Sequence, residues 1–349
     1  MSTDCKTETV AAAEASPWHE GEHNLQSLTG MREAMEKRGR VVLRDHMPEQ
    51  HRAFFGERQQ LFLSALDATG QPWATVLEGD VGFITSPSPH MLTVAAMLPP
   101  GDPAGEAIRD GAPVGALGIE FETRRRNRLN GIIRKKTDDD RFQIEVVQSF
   151  GNCPKYIHAR RPVDAKTSAA ATGAKSPRRA TLLSPIDIAL IERADTFFIA
   201  SRSMAPSLSM APGSSGSEGL DMSHRGGPTG FVKVDGARRL LFPDYRGNFF
   251  FNTLGNLFVE PRCGLLFIDF ATGMTLQIAG RGTGVLSPDA RNVWVGAERA
   301  VTIDIDCVVA TEHRSRFDWQ FLEAAPQFDE MTKHLAAEPP QSPGQTSGE

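Results

Sequence analysis

An ungapped internal repeat limits the fold of this chain more than any other feature of its sequence. Residues 115–131 align with residues 264–280 at one constant offset. The identical pairs are Gly115/Gly264, Leu117/Leu266, Ile119/Ile268, Phe121/Phe270, Thr123/Thr272 and Gly131/Gly280. Upstream of each copy, a helix started by a proline, Pro48 or Pro185, is predicted to run into an apolar strand. The chain is therefore predicted to be a duplicated unit.

Strand signals dominate both copies. Residues 60–79 hold two apolar runs around a turn at Ala68-Thr69-Gly70, and Asp235-Gly236 separates two β-prone runs, which is typical of a β-hairpin. Helix signals are few, and one covers about Met31–Lys37 after a Thr29 cap. A parallel βαβ sheet would need a helical crossover after each strand. The predicted fold class is mainly β, with two small barrels packed as a pseudo-dimer within one chain.

Composition changes along the chain suggest where the units begin and end. Polar, Ala/Glu-rich or Pro/Gly/Ser-rich stretches have little to bury and predict flexible segments. A further Ser/Gly/Met/Pro stretch at 203–220 is expected to be a long mobile loop in the second unit. The predicted organisation is a flexible N-terminus at 1–25, a first unit at 26–163, a linker at 164–182, a second unit at 183–320 and a disordered tail at 333–349.

Overall charge and cysteine content exclude several functional classes. Lys and Arg number 38 against 43 Asp and Glu, so the formal net charge of −5 gives no global positive field for nucleic acid or an anionic membrane. No window approaches the ~18 uninterrupted apolar residues of a spanning helix, and the N-terminus lacks a signal-peptide layout, so we expect a cytoplasmic protein. The four cysteines form no CxxC pair, which fits a reducing compartment.

A phosphate site is predicted where a strand gives way to a helix at 244–256. Free backbone N–H groups and the helix dipole favour an anion at such a position. Candidate ligand residues here are Arg246, Asn248, Asn252 and Thr253, although the asparagines could simply cap the helix.

The preceding segment, 223–228 (SHRGGP), is a second candidate for ligand contact. Arg225 supplies a cation, and the two glycines allow a close approach of backbone to a ligand. A plain Gly-Pro turn explains the glycines equally well but gives the His-Arg pair no role.

Residues 223–270 resemble the FMN-binding split β-barrel of the pyridoxamine 5'-phosphate oxidase-like superfamily, and residues 148–160 resemble the segment that closes the first half in its duplicated members. The matching order is a strand ending in Lys233, the Asp235-Gly236 hairpin, a strand at 240–242, a polar segment and helix at 248–257, and the Glu260-Pro261-Arg262 turn. The resemblance implies tandem split β-barrels with the FMN phosphate near 244–256. The classical oxidases carry a basic pair where this chain has Asn252 and Thr253, so the charge must come from elsewhere, and Arg246 or Arg225 could supply it.

The string Thr123–Arg128 holds four arginines and is the most unusual segment of the chain. On a strand, Arg124, Arg126 and Arg128 share one face at a spacing of roughly 6.6 Å. The repeat places that face with Thr275 and Gln277, and the resemblance implies that the position shared by Arg126 and Thr275 contacts flavin. The string either forms a cationic ladder for the flavin phosphate or an anionic substrate, or protects a solvated edge strand from aggregation.

Two further motifs are weaker. His19, Glu20 and His23 satisfy HExxH, but Pro17 and Gly21 make a poor helix, so we interpret the match as chance and predict no metal site. Cys153 stands two residues before a lysine, which could lower the pKa of its thiol, although a cysteine in such a stretch is more often a packing residue.

The function predicted is that of an FMN-binding flavoprotein, an oxidoreductase of the pyridoxamine 5'-phosphate oxidase-like kind with an unidentified small-molecule substrate. The alternative is a non-catalytic flavin-nucleotide or haem-binding carrier or sensor, with His158, His224 and His313 as candidate haem ligands. The expected partners are the substrate and an electron-donor reductase, with homo-oligomerisation left open, and no catalytic residue is assigned. The predicted FMN contacts are Arg126, Arg128, Arg225, Lys233, Arg246, Asn248, Asn252, Thr253 and Thr275.

Overall fold

The computed structural model describes residues 16–135, 140–165, 176–203, 219–283, 293–312 and 314–329 and is mainly β, as predicted. The elements of the first half are α1 (Glu20–Leu28), α2 (Arg32–Val42), α3 (Glu49–Gly56), β1 (Gln60–Leu66), β2 (Pro72–Glu78), β3 (Ile84–Ser88), β4 (Met91–Val94), a 3₁₀ turn (Gly105–Ala107), β5 (Pro113–Glu120), β6 (Arg125–Lys135), β7 (Phe142–Gly151) and β8 (Ala159–Ala165).

The second half repeats this series of strands after a short additional one. Its elements are β9 (Arg178–Ala180), α4 (Pro185–Arg193), β10 (Thr196–Arg202), β11 (Leu220–Gly226), β12 (Lys233–Asp235), β13 (Arg239–Tyr245), α5 (Asn252–Val259), β14 (Arg262–Ile268), β15 (Thr275–Thr283), β16 (Ala297–Thr311) and β17 (Phe317–Glu323).

Each half is built on one antiparallel sheet, and the two sheets have the same strand order. The first sheet runs β2-β1-β5-β6-β7-β4-β3 and the second runs β11-β10-β14-β15-β16-β13-β12, with β9 added on β16. Both predicted hairpins are present as β1–β2 and β12–β13. Each strand of the first half thus has a counterpart at the same place in the second, which agrees with the repeat in the sequence.

The two halves share a hydrophobic core in addition to one core each. At its centre, the rings of Phe62 on β1 and Phe198 on β10 stack with centroids 3.7 Å apart. The repeated pairs Leu117/Leu266 and Ile119/Ile268 lie in the same cluster. Residues that the repeat matches therefore bury their side chains between the halves.

Repeated glycines allow the close approach between the halves. A Cβ added to Gly115 on β5 would lie 2.6 Å from the carbonyl oxygen of Leu220, and one added to Gly264 on β14 would lie 2.5 Å from that of Pro72. Both distances are shorter than any ordinary van der Waals contact. The matching glycines of the repeat thus leave room for the backbone of β11 and β2, respectively.

Strands from the two halves also pair directly, because β8 of the first half forms a two-stranded sheet with β17 at the end of the second. On the same side of the shared core, Phe121, Phe270 and Trp319 form edge-to-face contacts with centroids 5.3–5.7 Å apart. Strand β17 thereby links the two halves through a small separate sheet.

The N-terminal region departs from the sequence analysis. Helix α1 lies partly within the segment predicted to be flexible, and a capping box between His19 and Glu22 starts it. Gly21 and Gly255 allow α1 to cross α5 closely, since a Cβ on Gly21 would lie 2.1 Å from the Gly255 carbonyl oxygen. Tertiary packing on α5 therefore outweighs the poor local helix propensity of this segment.

Smaller differences concern the other helices. Helix α2 extends to Val42 with Met31 at its N-cap, and Pro48 caps α3 from outside, whereas Pro185 occupies the first turn of α4 as predicted. Most of the predicted linker, the loop at 203–220 and the tail fall on residues outside those described. In the described ranges, no helix is long and apolar enough to cross a membrane.

We expect Gly115→Ala to lower the free energy of unfolding by about 1–3 kcal/mol, because the new methyl group collides with the backbone of β11. Gly105→Ala is the matched control, since a Cβ there meets nothing within 4 Å. Urea denaturation of both variants measures the difference. Equal stabilities of the two variants would contradict the close contact between the halves.

Candidate functional site

A cleft lies between the two halves and is called the main cleft; its empty space, counted together with the open solvent at its mouth, is about 900 Å³. Its wall comes from β6 and the loop after β7 in the first half, and from β11, β13, β16 and the start of α5 in the second. Its lining residues include Arg126, Arg128, Cys153, Lys155, Tyr156, Ser223, His224, Arg225, Asp244, Asn248, Phe249, Phe251, Asn252, Thr253 and Arg299.

Arg126 and Arg128 enter the cleft from β6. They alternate with Asn127 and point toward the second half, as the repeat predicts, where Arg126 Nη1 lies 3.0 Å from His224 Nδ1. Arg128 is 3% exposed, and its Nη1 donates to Asn252 Oδ1 at 3.2 Å. Because β6 lies between β5 and β7, it is not an edge strand. The alternative role as an aggregation guard on an edge is therefore wrong.

The third arginine of the predicted ladder lies elsewhere. Arg124 belongs to the turn before β6 and has a positive φ of 57°, which breaks the strand alternation. Its guanidinium donates to Ile157 O at 3.0 Å and pairs with Glu323 of β17. Arg125, on the opposite face of β6, stacks over the Phe54 ring at 4.9 Å. The ladder in the cleft therefore consists of Arg126 and Arg128 alone.

Asp221 on β11 holds the deep end of the cleft together. Its carboxylate accepts hydrogen bonds from Arg128, from Asn130 at 2.9 Å and from Asn256 at 2.7 Å. Asp221 is 6% exposed, so this one carboxylate neutralises a buried cation. The network joins β6 of the first half to β11 and α5 of the second.

Helix α1 adds a carboxyl group beneath this network. Asn252 Nδ2 donates to Glu22 Oε1 at 2.5 Å, and the backbone N–H of His19 donates to Glu22 Oε2 at 3.1 Å. Burial and the neighbouring Asp221 charge raise the pKa of Glu22 well above its ordinary value. Burial lowers the pKa of His19 to about 4. Both shifts favour the neutral forms of these groups, which lie beside the first turn of α5.

His224 faces the cleft from β11 and is 7% exposed. Burial, and next the charge of Arg126, lower its imidazole pKa well below the ordinary value. A guanidinium has no acceptor, so the neutral ring accepts from Arg126 at Nδ1 and carries its proton on Nε2. Within the described residues, His224 Nε2 and the Nε atoms of Arg126 and Arg128 are buried without a hydrogen-bond partner. These donors are available to a ligand that brings acceptors.

The outer part of the cleft holds a second pair of arginines. Arg225 Nη1 donates to Asp244 Oδ1 at 3.1 Å, and Arg299 Nε donates to Asp244 Oδ2 at 2.8 Å. The carboxylate of Asp244 thereby orients two guanidinium groups. Arg299 also lies over the Phe251 ring at 5.0 Å.

The loop between β13 and α5 has an unusual backbone. Phe249 and Phe251 both have φ 63°, in the left-handed region that bulky residues seldom adopt. Phe251 is the N-cap of α5 and offers no capping side chain, so the first N–H groups of the helix keep free hydrogen-bonding capacity toward the cleft. Asn248 caps this loop locally, because its Oδ1 accepts from the N–H of Phe250 at 3.1 Å.

Positive charge dominates the main cleft. The cationic lining residues are Arg126, Arg128, Lys155, Arg225 and Arg299, whereas Asp244 is the one carboxylate among the described lining residues. Tyr156, Phe249 and Phe251 add aromatic surface. Cys153 is half-buried here, with its Sγ 4.0 Å from Arg126 Nη2. An anion with an aromatic or otherwise planar body complements such a cleft.

Most predicted site residues meet in the main cleft, but three do not line it. Lys233 opens β12 at the edge of the second sheet and faces solvent, because this three-residue strand lies at the outer end of the sheet. Thr275 is buried on β15 between Ile268 and Thr311. Arg246 is exposed next to the cleft, with its guanidinium 5.5 Å from the centre of the Phe249 ring.

Several residues of the site were missed by sequence reasoning. Asp221, Glu22 and Arg299 lie far apart in the chain and carry no local motif. The alternation along β11 offers one signal, since Asp221, Ser223 and Arg225 share a strand face. Nothing in the sequence pairs Glu22 with Asn252.

Comparison with known proteins gives no family assignment, since no family profile and no curated protein match the chain. Solved structures that match include a variant of HupZ from Group A Streptococcus (10% identity, 36% of this chain and 98% of that chain, TM-score 0.27). A putative pyridoxamine 5'-phosphate oxidase from Lactobacillus delbrueckii matches at 13% identity, over 37% and 94%, with TM-score 0.27. A FAD-binding protein from Mesorhizobium loti matches at 12% identity, over 40% and 99%, with TM-score 0.24. With TM-scores below 0.5, these similarities carry no argument about this chain.

The lowered pKa of His224 gives a pH-dependent stability. In the unfolded chain this imidazole takes up a proton near its ordinary pKa of 6.5, whereas the folded protein keeps it neutral. The contribution of His224 to the free energy of unfolding therefore falls as the pH drops below about 6.5. For one proton, the decrease is at most about 1.4 kcal/mol per pH unit. We expect His224→Val, which copies the counterpart residue Val76, to flatten the decrease in unfolding free energy between pH 7 and pH 5. Identical slopes for the variant and the native protein would argue against a neutral, buried His224.

Proposed function

We propose that the main cleft binds FMN and that the protein is an FMN-dependent oxidoreductase acting on a small molecule. The observation that carries the proposal is the cation-rich cleft between the halves, where nitrogen atoms of Arg126, Arg128 and His224 are buried without hydrogen-bond partners among the described residues. A phosphate supplies acceptors and negative charge, and an isoalloxazine ring supplies a planar aromatic body.

The phosphate is proposed to bind between the start of α5 and the Arg225–Asp244–Arg299 group. Two fixed guanidinium groups and the open first turn of α5 converge on this part of the lining. Asn252 and Thr253 stand at the first turn, and Thr253 Oγ1 donates to Ser223 Oγ at 2.9 Å. These neutral residues position the helix end, and the charge comes from β11 and β16.

The ring is proposed to lie toward β6. FMN, when bound, supplies the hydride or electron chemistry. Arg126 and the Nε2–H of His224 are the donors that would hydrogen-bond polar atoms of the ring edge, and their burial strengthens each such bond. The walls of the cleft keep water from one side of the bound molecule. No described residue of the cleft is assigned as a general acid or base.

A carrier or sensor without turnover is the alternative that uses the same cleft, and steady-state flavin reduction distinguishes it. The haem version fits the described histidines poorly. Both ring nitrogens of His158 are engaged, Nε2 with Gly227 O at 2.8 Å and Nδ1 with the N–H of Ala325 at 3.3 Å. Because Nδ1 of His224 accepts a hydrogen bond from Arg126, its Nε2 carries the proton and has no lone pair for haem iron. His313 lies outside the described residues.

We expect the protein to bind FMN more tightly than riboflavin, because riboflavin lacks the phosphate that the arginines recognise. Replacing Arg225 with Gln should weaken FMN by about 1.5–3 kcal/mol and leave riboflavin affinity nearly unchanged. Lys233→Gln is the matched control, since that side chain is exposed outside the cleft and its loss should change neither affinity. Fluorescence titration of both flavins measures these values.

Equal affinities for FMN and riboflavin would overturn the phosphate assignment. Weakening of FMN by Lys233→Gln but not by Arg225→Gln would move the site to the other end of the sheet. Binding without any turnover of reduced FMN would favour the carrier over the oxidoreductase.

A further inference from the structure

The repeat generates a second place where a cleft like the main cleft could form, between β15 and β2. We call it the counterpart cleft. Strand pairing and the repeat identify its residues. Thr75 pairs with Leu63 on β1 as Ser223 pairs with Ile199 on β10, so Thr75 is the counterpart of Ser223. Gln277 is the counterpart of Arg128, because the repeat aligns these two positions. The two clefts can therefore be compared position by position.

Residues at equivalent positions form hydrogen bonds in both clefts, but their partners differ. In the main cleft, Ser223 bonds to Thr253, and Arg128 bonds to Asn252. In the counterpart cleft, Asp102 replaces both partners from α5. Thr75 Oγ1 donates to Asp102 Oδ2 at 2.6 Å, and Gln277 Nε2 lies 3.4 Å from Asp102 Oδ1.

Asp102 fills the counterpart cleft from the loop before the 3₁₀ turn. Its side chain is 3% exposed, and its Oδ1 also accepts from the N–H of Ala104 at 2.9 Å. Ala104 and Ala107 pack against Trp73, Ala65, Ala279 and Val309 in one cluster. Arg314 Nη2 donates to Val76 O at 2.7 Å and lies 3.9 Å from Asp102 Oδ2. Protein atoms thus occupy the position that the open helix start has in the main cleft.

The two clefts also differ in charge, because Asp102 lies next to Arg314 in the counterpart cleft and the arginine pair of β6 has neutral counterparts there. Arg126 and Arg128 correspond to the neutral Thr275 and Gln277, and the neutral Asn252 corresponds to the carboxylate of Asp102. A buried carboxylate repels a phosphate at short range and takes the donors that would bind it.

From this comparison we propose that the chain holds one flavin nucleotide, in the main cleft, and that Asp102 closes the counterpart cleft to a second. The inference rests on the proposed function and specifies its stoichiometry. On this proposal, only one of the two sheets, which share the same strand order, contributes an open anion site among the described residues.

Equilibrium dialysis of the full chain against FMN, carried to concentrations far above the dissociation constant, counts the bound molecules. One FMN per chain is the expected result. Two per chain would overturn this inference and leave the proposed function standing, whereas none would overturn both.

Valine at two equivalent positions then identifies which cleft is occupied. Ser223→Val places two methyl groups in the main cleft and removes the hydroxyl that orients Thr253, so FMN affinity should fall at least tenfold. Thr75→Val keeps the shape of the buried Thr75 and removes its bond to Asp102, and FMN affinity should stay within twofold of the native value. Thermal unfolding confirms that both variants are folded. The opposite pattern of affinities would place FMN in the counterpart cleft and overturn the inference.

Discussion

Packing of β1 against β10 brings together the two halves whose side chains line the main cleft. The stacked rings of Phe62 and Phe198 bring two backbones together, and Gly115 allows β11 to lie directly against β5. Gly226 plays the same part near the cleft, since a Cβ there would lie 1.9 Å from Tyr156 O. Without these contacts, β6 could not present its arginines to the residues of the second half.

That packing also explains why arginines can be buried there. Removing a guanidinium from water costs several kcal/mol, and an ion pair recovers this only with good geometry and further hydrogen bonds. Asp221 provides such a partner for Arg128, and Asn130 and Asn256 satisfy the remaining acceptor capacity of Asp221. Among the described residues, the side-chain partners of the Arg126 guanidinium are His224 and Cys153. The side chain is half-buried and its Nε is buried without a partner, which costs free energy of folding and supports the proposed binding role.

The sequence was informative where the signal was local or repeated. Strand alternation and the repeat predicted that Arg126 and Arg128 share a face turned toward the second half, and the Asp-Gly and Thr-Gly turns predicted two hairpins. Helix α1 was missed because its stability comes from crossing α5 at Gly21, a contact across the whole chain. The order of elements does not say how far β12 lies from β6, so it did not show that Lys233 lies outside the main cleft. The roles of Asp221 and Glu22 could be recognised only from the tertiary structure, because their partners lie far away in the sequence.

Two similar units within one chain can carry different residues at equivalent positions, which a dimer of identical chains cannot. In a symmetric dimer, any residue placed in one cleft recurs in the other. Here Arg128 and Gln277 occupy matching positions with different charges, and helix α1 supports α5 in one half alone. A substitution such as Asp at position 102 can therefore stabilise one side by hydrogen bonds to Thr75 and Gln277 without adding a carboxylate to the cationic side. The buried carboxylate of Asp102 and the arginine pair of β6 thus belong to different clefts of one chain.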